Sequence, residues 1–141
     1  MIEERGRRES FATVDLIIVD KATGRAKFYK MGAATSFVVR KGRVRRIQKP
    51  ALPVGIIPGV KLSHASVQLK PGDTVVMVSD GITEADRDDL AASWLTALLC
   101  EACAMDGTGP NTLAAKIAAE AQSKYGSRER DDLTVVVAMI E

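Results

Sequence analysis

The sequence predicts an α+β fold in which antiparallel β-sheet is layered against a helix pair, and three observations lead there. Short apolar or alternating runs, separated by turn residues, outnumber helical stretches. Only two stretches carry apolar residues at helical spacing, and they fall together between the last two strands. They do not alternate with strands as a parallel α/β chain requires. With 141 residues, 46% of them hydrophobic and 27% charged, the chain has the size and composition of one packed domain.

Residues 11–20 are rich in β-branched side chains and predict a strand buried on both faces, central in its sheet. Asp20-Lys21-Ala22-Thr23-Gly24 has hairpin-turn chemistry, with Gly24 free to take positive φ, and leads into a second strand over 25–31. Gly32-Ala33-Ala34-Thr35 interrupts the pairing. A third strand over 36–40, the Lys41-Gly42 turn and a fourth over 43–47 complete an antiparallel meander. Three prolines and Gly55 between Pro50 and Pro58 predict an ordered loop or a crossing between sheets. Residues 65–69, the turn 70–73 and the nearly continuous apolar run 74–79 read as another hairpin, with Asp80 at its end.

From 88 to 104, Leu90, Trp94, Leu95, Leu98, Leu99 and Ala102 mark one helical face, with Asp88 and Asp89 at the positive end of the dipole. A second helix over 111–125 places Leu113, Ile117 and Ala121 on a stripe and stops at Gly126, a left-handed cap. Residues 133–140 predict a final buried strand.

Charge excludes little: 20 basic against 18 acidic residues leave +2. The crowd of Arg40, Lys41, Arg43, Arg45, Arg46 and Lys49 could grip a phosphate backbone or an acidic protein. With no interleaved aromatic residue to stack a base it reads better as an edge hairpin kept soluble by charge, and no nucleic-acid partner is expected. Cys100 and Cys103 cannot by themselves supply a structural zinc site, and they read as reduced helix residues. His64, the sole histidine, has no carboxylate near it in sequence and reads as a surface residue. Asp15 lies inside an apolar strand and needs a partner that the sequence does not reveal. No run reaches the roughly 18 apolar residues of a membrane-spanning helix, which predicts a cytoplasmic segment.

The sharpest constellation is Val78-Ser79-Asp80-Gly81-Ile82 with Arg130-Asp131-Asp132-Leu133-Thr134. Each sets a carboxylate where an apolar strand meets a loop. If the two strands are adjacent and antiparallel, the end of one meets the start of the other, and the carboxylates converge. Carboxylates gathered without a counter-charge raise one another's pKa, and such hard oxygen ligands suit Mg²⁺ or Mn²⁺. Residue types alone favour a strand-ending turn at Asp80-Gly81 beside a solvated Arg130-Asp131-Asp132 loop with a surface ion pair.

Six motifs in order carry a resemblance: Phe11-Ala12-Thr13-Val14-Asp15-Leu16, Gly32-Ala33-Ala34-Thr35-Ser36-Phe37, Leu52-Pro53-Val54-Gly55-Ile56, Leu69-Lys70-Pro71-Gly72-Asp73, Val78-Ser79-Asp80-Gly81-Ile82 and Arg130-Asp131-Asp132-Leu133-Thr134-Val135. Through them the chain resembles the carboxyl-terminal part of the metal-dependent (type 2C-like, PPM) protein serine/threonine phosphatases, nearest the stage II sporulation protein E phosphatase domain. The resemblance implies an incomplete α-β-β-α sandwich lacking its upstream strands and helices. Residues 1–10 would be a charged, flexible leader and 11–141 the carboxyl-terminal portion of the domain. It implies that Asp80 and Asp131 are metal ligands for Mn²⁺ or Mg²⁺, two ions in the complete domain. Asp132 stands where many relatives have asparagine and is not counted as a ligand. Thr35 replaces a proline usual in the branch.

The same resemblance implies hydrolysis, by metal-activated water, of phosphoserine on an anti-sigma factor antagonist. The family's upstream Asp-Gly-Met-Gly-like motif, whose aspartate bridges both metals, is absent, so the isolated chain is expected to be weak or inactive and to self-associate through uncovered sheet. The parent protein would be membrane-anchored. The alternative is a non-catalytic regulatory or scaffold domain that binds a partner through its basic hairpin or open sheet edge.

Overall fold

The computed structural model describes residues 12–55, 63–105 and 107–141. The expected leader over 1–10, the start of the first strand at Phe11, and Ile56 lie outside the described residues. Among these residues seven strands form two antiparallel sheets: β1 (Val14–Val19), β2 (Arg25–Met31), β3 (Ser36–Arg40), β4 (Arg43–Ile47), β5 (His64–Gln68), β6 (Thr74–Val78) and β7 (Val135–Met139). A three-stranded sheet runs β1-β2-β5 and a four-stranded sheet β4-β3-β6-β7. Three helices lie between β6 and β7: the single turn α1 (Asp80–Thr83), α2 (Ser93–Ala104) and α3 (Pro110–Tyr125).

The β1–β2 hairpin closes as its turn residues dictate. The Asp20 carboxylate accepts the Ala22 N–H at 2.9 Å, and Gly24 takes φ +70°. That turn sets the register, Asp15 opposite Lys30 and Ile17 opposite Phe28. β1 is nevertheless an edge strand with one open face, where a central strand buried on both faces was expected: Leu16 is 47% and Ile18 53% exposed. A continuous β-branched run shows that both faces are apolar. It does not show what covers them.

The expected single meander is likewise two hairpins in different sheets. The chain crosses between sheets at 32–35, and the expected 65–79 hairpin is a second crossing, since β5 pairs with β2 and β6 with β3 and β7. The turn at 70–73 is a corner built on Asp73. Its Oδ2 accepts the Lys70 N–H at 2.8 Å, and Arg40 donates to both its oxygens at 2.7 and 2.6 Å. Burial opposes ionisation of Asp73, but the Arg40 guanidinium and the Lys70 N–H overcome it and hold the carboxyl below its ordinary range.

β6 is apolar on both faces because both are covered. Val75 joins Phe28, Val38, Ile47 and Val67 between the sheets, whereas Val76 and Val78 join Phe37, Leu95, Leu99, Leu113 and Ile117 beneath the helices. The layers are therefore sheet, sheet, helix pair. β7 pairs only with β6, so it is an edge with Val136 exposed and not the expected buried strand.

α2 begins five residues later than expected, and Leu90, placed on its apolar face by periodicity, is 91% exposed. Asx chemistry competes with the helix here: Asp86 accepts the Asp88 N–H at 3.1 Å, Ala92 is left-handed, and Asp89 accepts the Trp94 N–H at 2.9 Å from outside the helix. The backbone N–H groups of Ser93 and Trp94 hold the Asp89 carboxyl below its ordinary range, so this aspartate serves the positive helix end as anticipated. In α3, Pro110 opens the helix and Leu113, Ile117, Ala121 and Tyr125 form its buried stripe. Gly126 ends it at φ 58°, ψ −121°, positive in φ as expected but outside the left-handed helical region.

Candidate metal centre

β6 and β7 are antiparallel neighbours with Val78 opposite Val135, so the residues that follow one strand face those that precede the other. Ser79 joins them. Its N–H donates to Thr134 O at 3.0 Å, its hydroxyl accepts the Thr134 N–H at 3.0 Å, and the same hydroxyl donates to Asp132 O at 2.9 Å. Gly81 lies tightly against the facing segment: a Cβ there would sit 2.5 Å from Asp132 O and 3.3 Å from Asp131 Cβ. From behind, the buried Tyr125 hydroxyl donates to Gly81 O at 2.8 Å, anchoring the turn to α3.

Asp80 and Asp131 thus stand on touching segments, both exposed at one end of the four-stranded sheet. Each carboxylate accepts the N–H of its own successor through Oδ1, Gly81 to Asp80 at 3.0 Å and Asp132 to Asp131 at 2.8 Å. These bonds orient the side chains and leave each Oδ2 without a donor among the described residues. No lysine or arginine among the described residues forms an ion pair with Asp80, Asp131 or Asp132. Anionic oxygens left without a protein cation are the donor chemistry that Mg²⁺ or Mn²⁺ takes, so the pair fits such an ion in kind. In number it does not fill one: among the described residues no group of three or more His, Cys, Asp or Glu is placed to hold a metal.

A cavity of about 470 Å³ adjoins Asp80, walled by Gly32, Ala34, Met77 and Ser79 and reaching Asp15. The partner that Asp15 required is Lys30. This ammonium, only 1% exposed, donates to Asp15 Oδ2 at 2.6 Å and to Ser36 Oγ at 2.8 Å, while Ser36 Oγ donates to Asp15 Oδ2 at 3.0 Å. Burial pushes Lys30 below its ordinary value against the pull of Asp15. Asp15 Oδ1 is buried with no partner among the described residues. Because Lys30 belongs to one sheet and Ser36 to the other, the cluster pins the crossing at 32–35 that walls the cavity. Sequence reasoning missed Lys30, although counting outward from the 20–24 turn pairs it with Asp15. Nothing in the sequence marks Tyr125 beyond its place on the α3 stripe.

Other residues considered from sequence lie elsewhere. His64 is exposed on β5, its ring 5.2 Å from that of Tyr29. Cys100 and Cys103 are free thiols of α2, and burial raises the Cys103 pKa, the opposite of an activated thiol.

Two stacked antiparallel sheets with helices on an outer face, and aspartates on touching segments at one end of the neighbouring strands β6 and β7, define the class: this is the fold of the metal-dependent, type 2C-like (PP2C) phosphatases. Within that class the chain belongs to the stage II sporulation protein E (SpoIIE) family, whose sequence profile matches residues 1–141. It is 34% identical over 137 residues to stage II sporulation protein E of Bacillus subtilis strain 168, covering 94% of this chain and 16% of that protein. It is 33% identical over 139 residues to the Priestia megaterium protein of the same name, covering 97% of this chain and 23% of that protein.

Among solved structures, the PP2C phosphatase domain of B. subtilis SpoIIE with a fragment of its regulatory domain superposes with a TM-score of 0.81 at 32% identity, covering 98% of this chain and 40% of that one. The Mn-presoaked SpoIIE phosphatase domain gives 0.76 at 30% identity, with 92% and 56% covered. The chain therefore spans about a fifth of the curated relatives and about half of these solved chains.

Proposed function

We propose that this chain carries the Asp80 and Asp131 portion of a protein serine/threonine phosphatase site, and that the protein it serves hydrolyses phosphoserine on an anti-sigma factor antagonist. The observation that carries the reading is the Ser79 bridge, with the Gly81 approach, joining the two aspartate-bearing segments. Asp80 Oδ2 and Asp131 Oδ2 would hold Mn²⁺ or Mg²⁺, their Oδ1 atoms already engaged by the following N–H groups. A bound divalent ion would supply an activated water near neutral pH and polarise a phosphoryl oxygen. The protein's contribution is to hold two anionic oxygens in fixed orientation, without competing cations, beside a cavity open to substrate.

Two carboxylates leave most of an octahedral set to water or to donors from outside this chain, so weak metal binding and little turnover are expected of the chain alone. Calorimetric titration with Mn²⁺ should give weak binding that falls about tenfold or more in an Asp80→Asn/Asp131→Asn variant. Identical isotherms would overturn the assignment and favour a non-catalytic regulatory domain. A phosphopeptide assay with Mn²⁺, run also on a chain extended upstream, separates the activity from the fragment's weakness; full turnover by the short chain would refute the incomplete-ligand account.

The apolar outer face of β1, Val14, Leu16 and Ile18, and the exposed Val136 and Met139 of β7 support self-association of this chain. Gel filtration with light scattering at micromolar concentration should return a species larger than a monomer, and a clean monomer would refute it. No helix among the described residues is long and apolar enough to cross a membrane. A cytoplasmic placement, within a membrane-anchored parent, is proposed on the family relationship.

A further inference from the structure

The basic hairpin places its charge in a position that solubility does not require. Strand alternation sends Val44 and Arg46 of β4 toward the helices, where Val44 packs against the helical core and Arg46 donates to Ala91 O at 2.6 Å. Arg43, Arg45 and Ile47 therefore point the other way, toward the three-stranded sheet, and Ile47 is buried there with Val38 and Val67. Register places Arg45 opposite Val38 and Arg43 opposite Arg40 on that inward face. β4 and β5 are both edge strands, so the space between the sheets opens beyond Ile47 into a groove of about 640 Å³, floored by Val38 and Val67 and flanked by Arg40, Lys41, Arg43 and Arg45.

Arg40 is neutralised by Asp73, whereas Lys41, Arg43 and Arg45 form no ion pair among the described residues. Lys41 also occupies a left-handed position, φ 49°, in a tight turn with Gly42 at φ 72°, where asparagine or glycine is favoured. Lysine is not the residue that this conformation favours.

We propose that this groove binds an extended acidic polypeptide segment, with carboxylates at alternate positions, laid along the free edge of β4. Arg43 and Arg45 are roughly 7 Å apart along the strand, the spacing of same-face side chains on an extended partner. The valine floor matches the partner's apolar atoms, and the β4 edge, unpaired among the described residues, offers its backbone a ladder. Among the described residues no aromatic side chain lines the groove, which disfavours a nucleic acid. Asp73, in contact with Arg40, and Asp80 bracket β6, so the groove lies roughly 20 Å from the candidate metal centre and is independent of it.

The probe is a fluorescein-labelled peptide of alternating glutamate and valine, titrated against the full chain at low and physiological salt. Saturable binding is expected that weakens with salt, weakens about tenfold or more in Arg43→Gln/Arg45→Gln, and shifts the amides of Val38, Val44 and Val67. Arg43→Lys/Arg45→Lys, which keeps the charge, should bind with intermediate affinity, and Asp80→Asn should bind as the unaltered chain does. Both arginines are exposed, so the variants should fold as the unaltered chain does, which circular dichroism checks. The proposal falls if the glutamine variant binds equally, if a peptide with its glutamates in one block binds as tightly, or if inorganic triphosphate or a single-stranded oligonucleotide displaces the peptide at equal concentration.

Discussion

Lys30→Met is expected to destabilise the chain by about 3 kcal/mol, because it leaves the half-buried Asp15 carboxylate without its cation. Asp15 is held by Lys30 and Ser36 through one oxygen, and its other oxygen has no partner among the described residues, so without the ammonium only the Ser36 hydroxyl holds the charge. A domain has about 5–15 kcal/mol in total, and the loss would be a large share of it. Asp15→Leu combined with Lys30→Met removes both charges and should recover much of the loss, since two buried charges cost desolvation that apolar side chains do not. Urea unfolding of the unaltered chain, the single and the double variant, at one protein concentration, measures this coupling. A single variant within about 1 kcal/mol of the unaltered chain would show that the cluster is not needed to join the sheets.

Gly81→Ala is expected to abolish metal binding at the candidate centre while leaving both apolar layers assembled. The added methyl would meet Asp132 O at 2.5 Å, and a backbone oxygen cannot rotate aside as a side-chain end can. Relief requires the segment before β7 to move away from the α1 turn, which breaks the Ser79 hydroxyl bonds to Asp132 and Thr134 and carries Asp131 away from Asp80. Overpacking of this kind costs about 1–3 kcal/mol, which the two apolar layers can absorb. Mn²⁺ calorimetry should then resemble that of Asp80→Asn, with the helical circular dichroism retained. Undiminished Mn²⁺ binding by Gly81→Ala would mean that the two segments need not touch for the aspartates to act together.

The two effects differ in how far the sequence announced them. Gly81 follows an acidic residue at the end of an apolar run, and the meeting of that run with the 131–134 segment was readable as two strand ends, given antiparallel neighbours. The Asp15–Lys30 pair was readable in principle, because the 20–24 turn sets a register that any count along the hairpin recovers. Leu90 was misread for a local reason. Helical periodicity extends through it, but Asp86 and Asp89 spend their oxygens on nearby N–H groups and start the helix later.

Local chemistry in the sequence sufficed for the α+β class, for the hairpin turns at 20–24 and 41–42, for the buried stripe of α3 and for two aspartates at strand ends. Each depends on side-chain periodicity or on turn residues within a few positions of one another. The division into two sheets, the edge status of β1 and β7, the inward arginines of β4 and the ammonium buried between layers were decided only by tertiary structure. An alternating pattern says which residues share a face; it carries no information about which strand lies alongside or what layer stands opposite, and those depend on contacts between segments far apart in the chain.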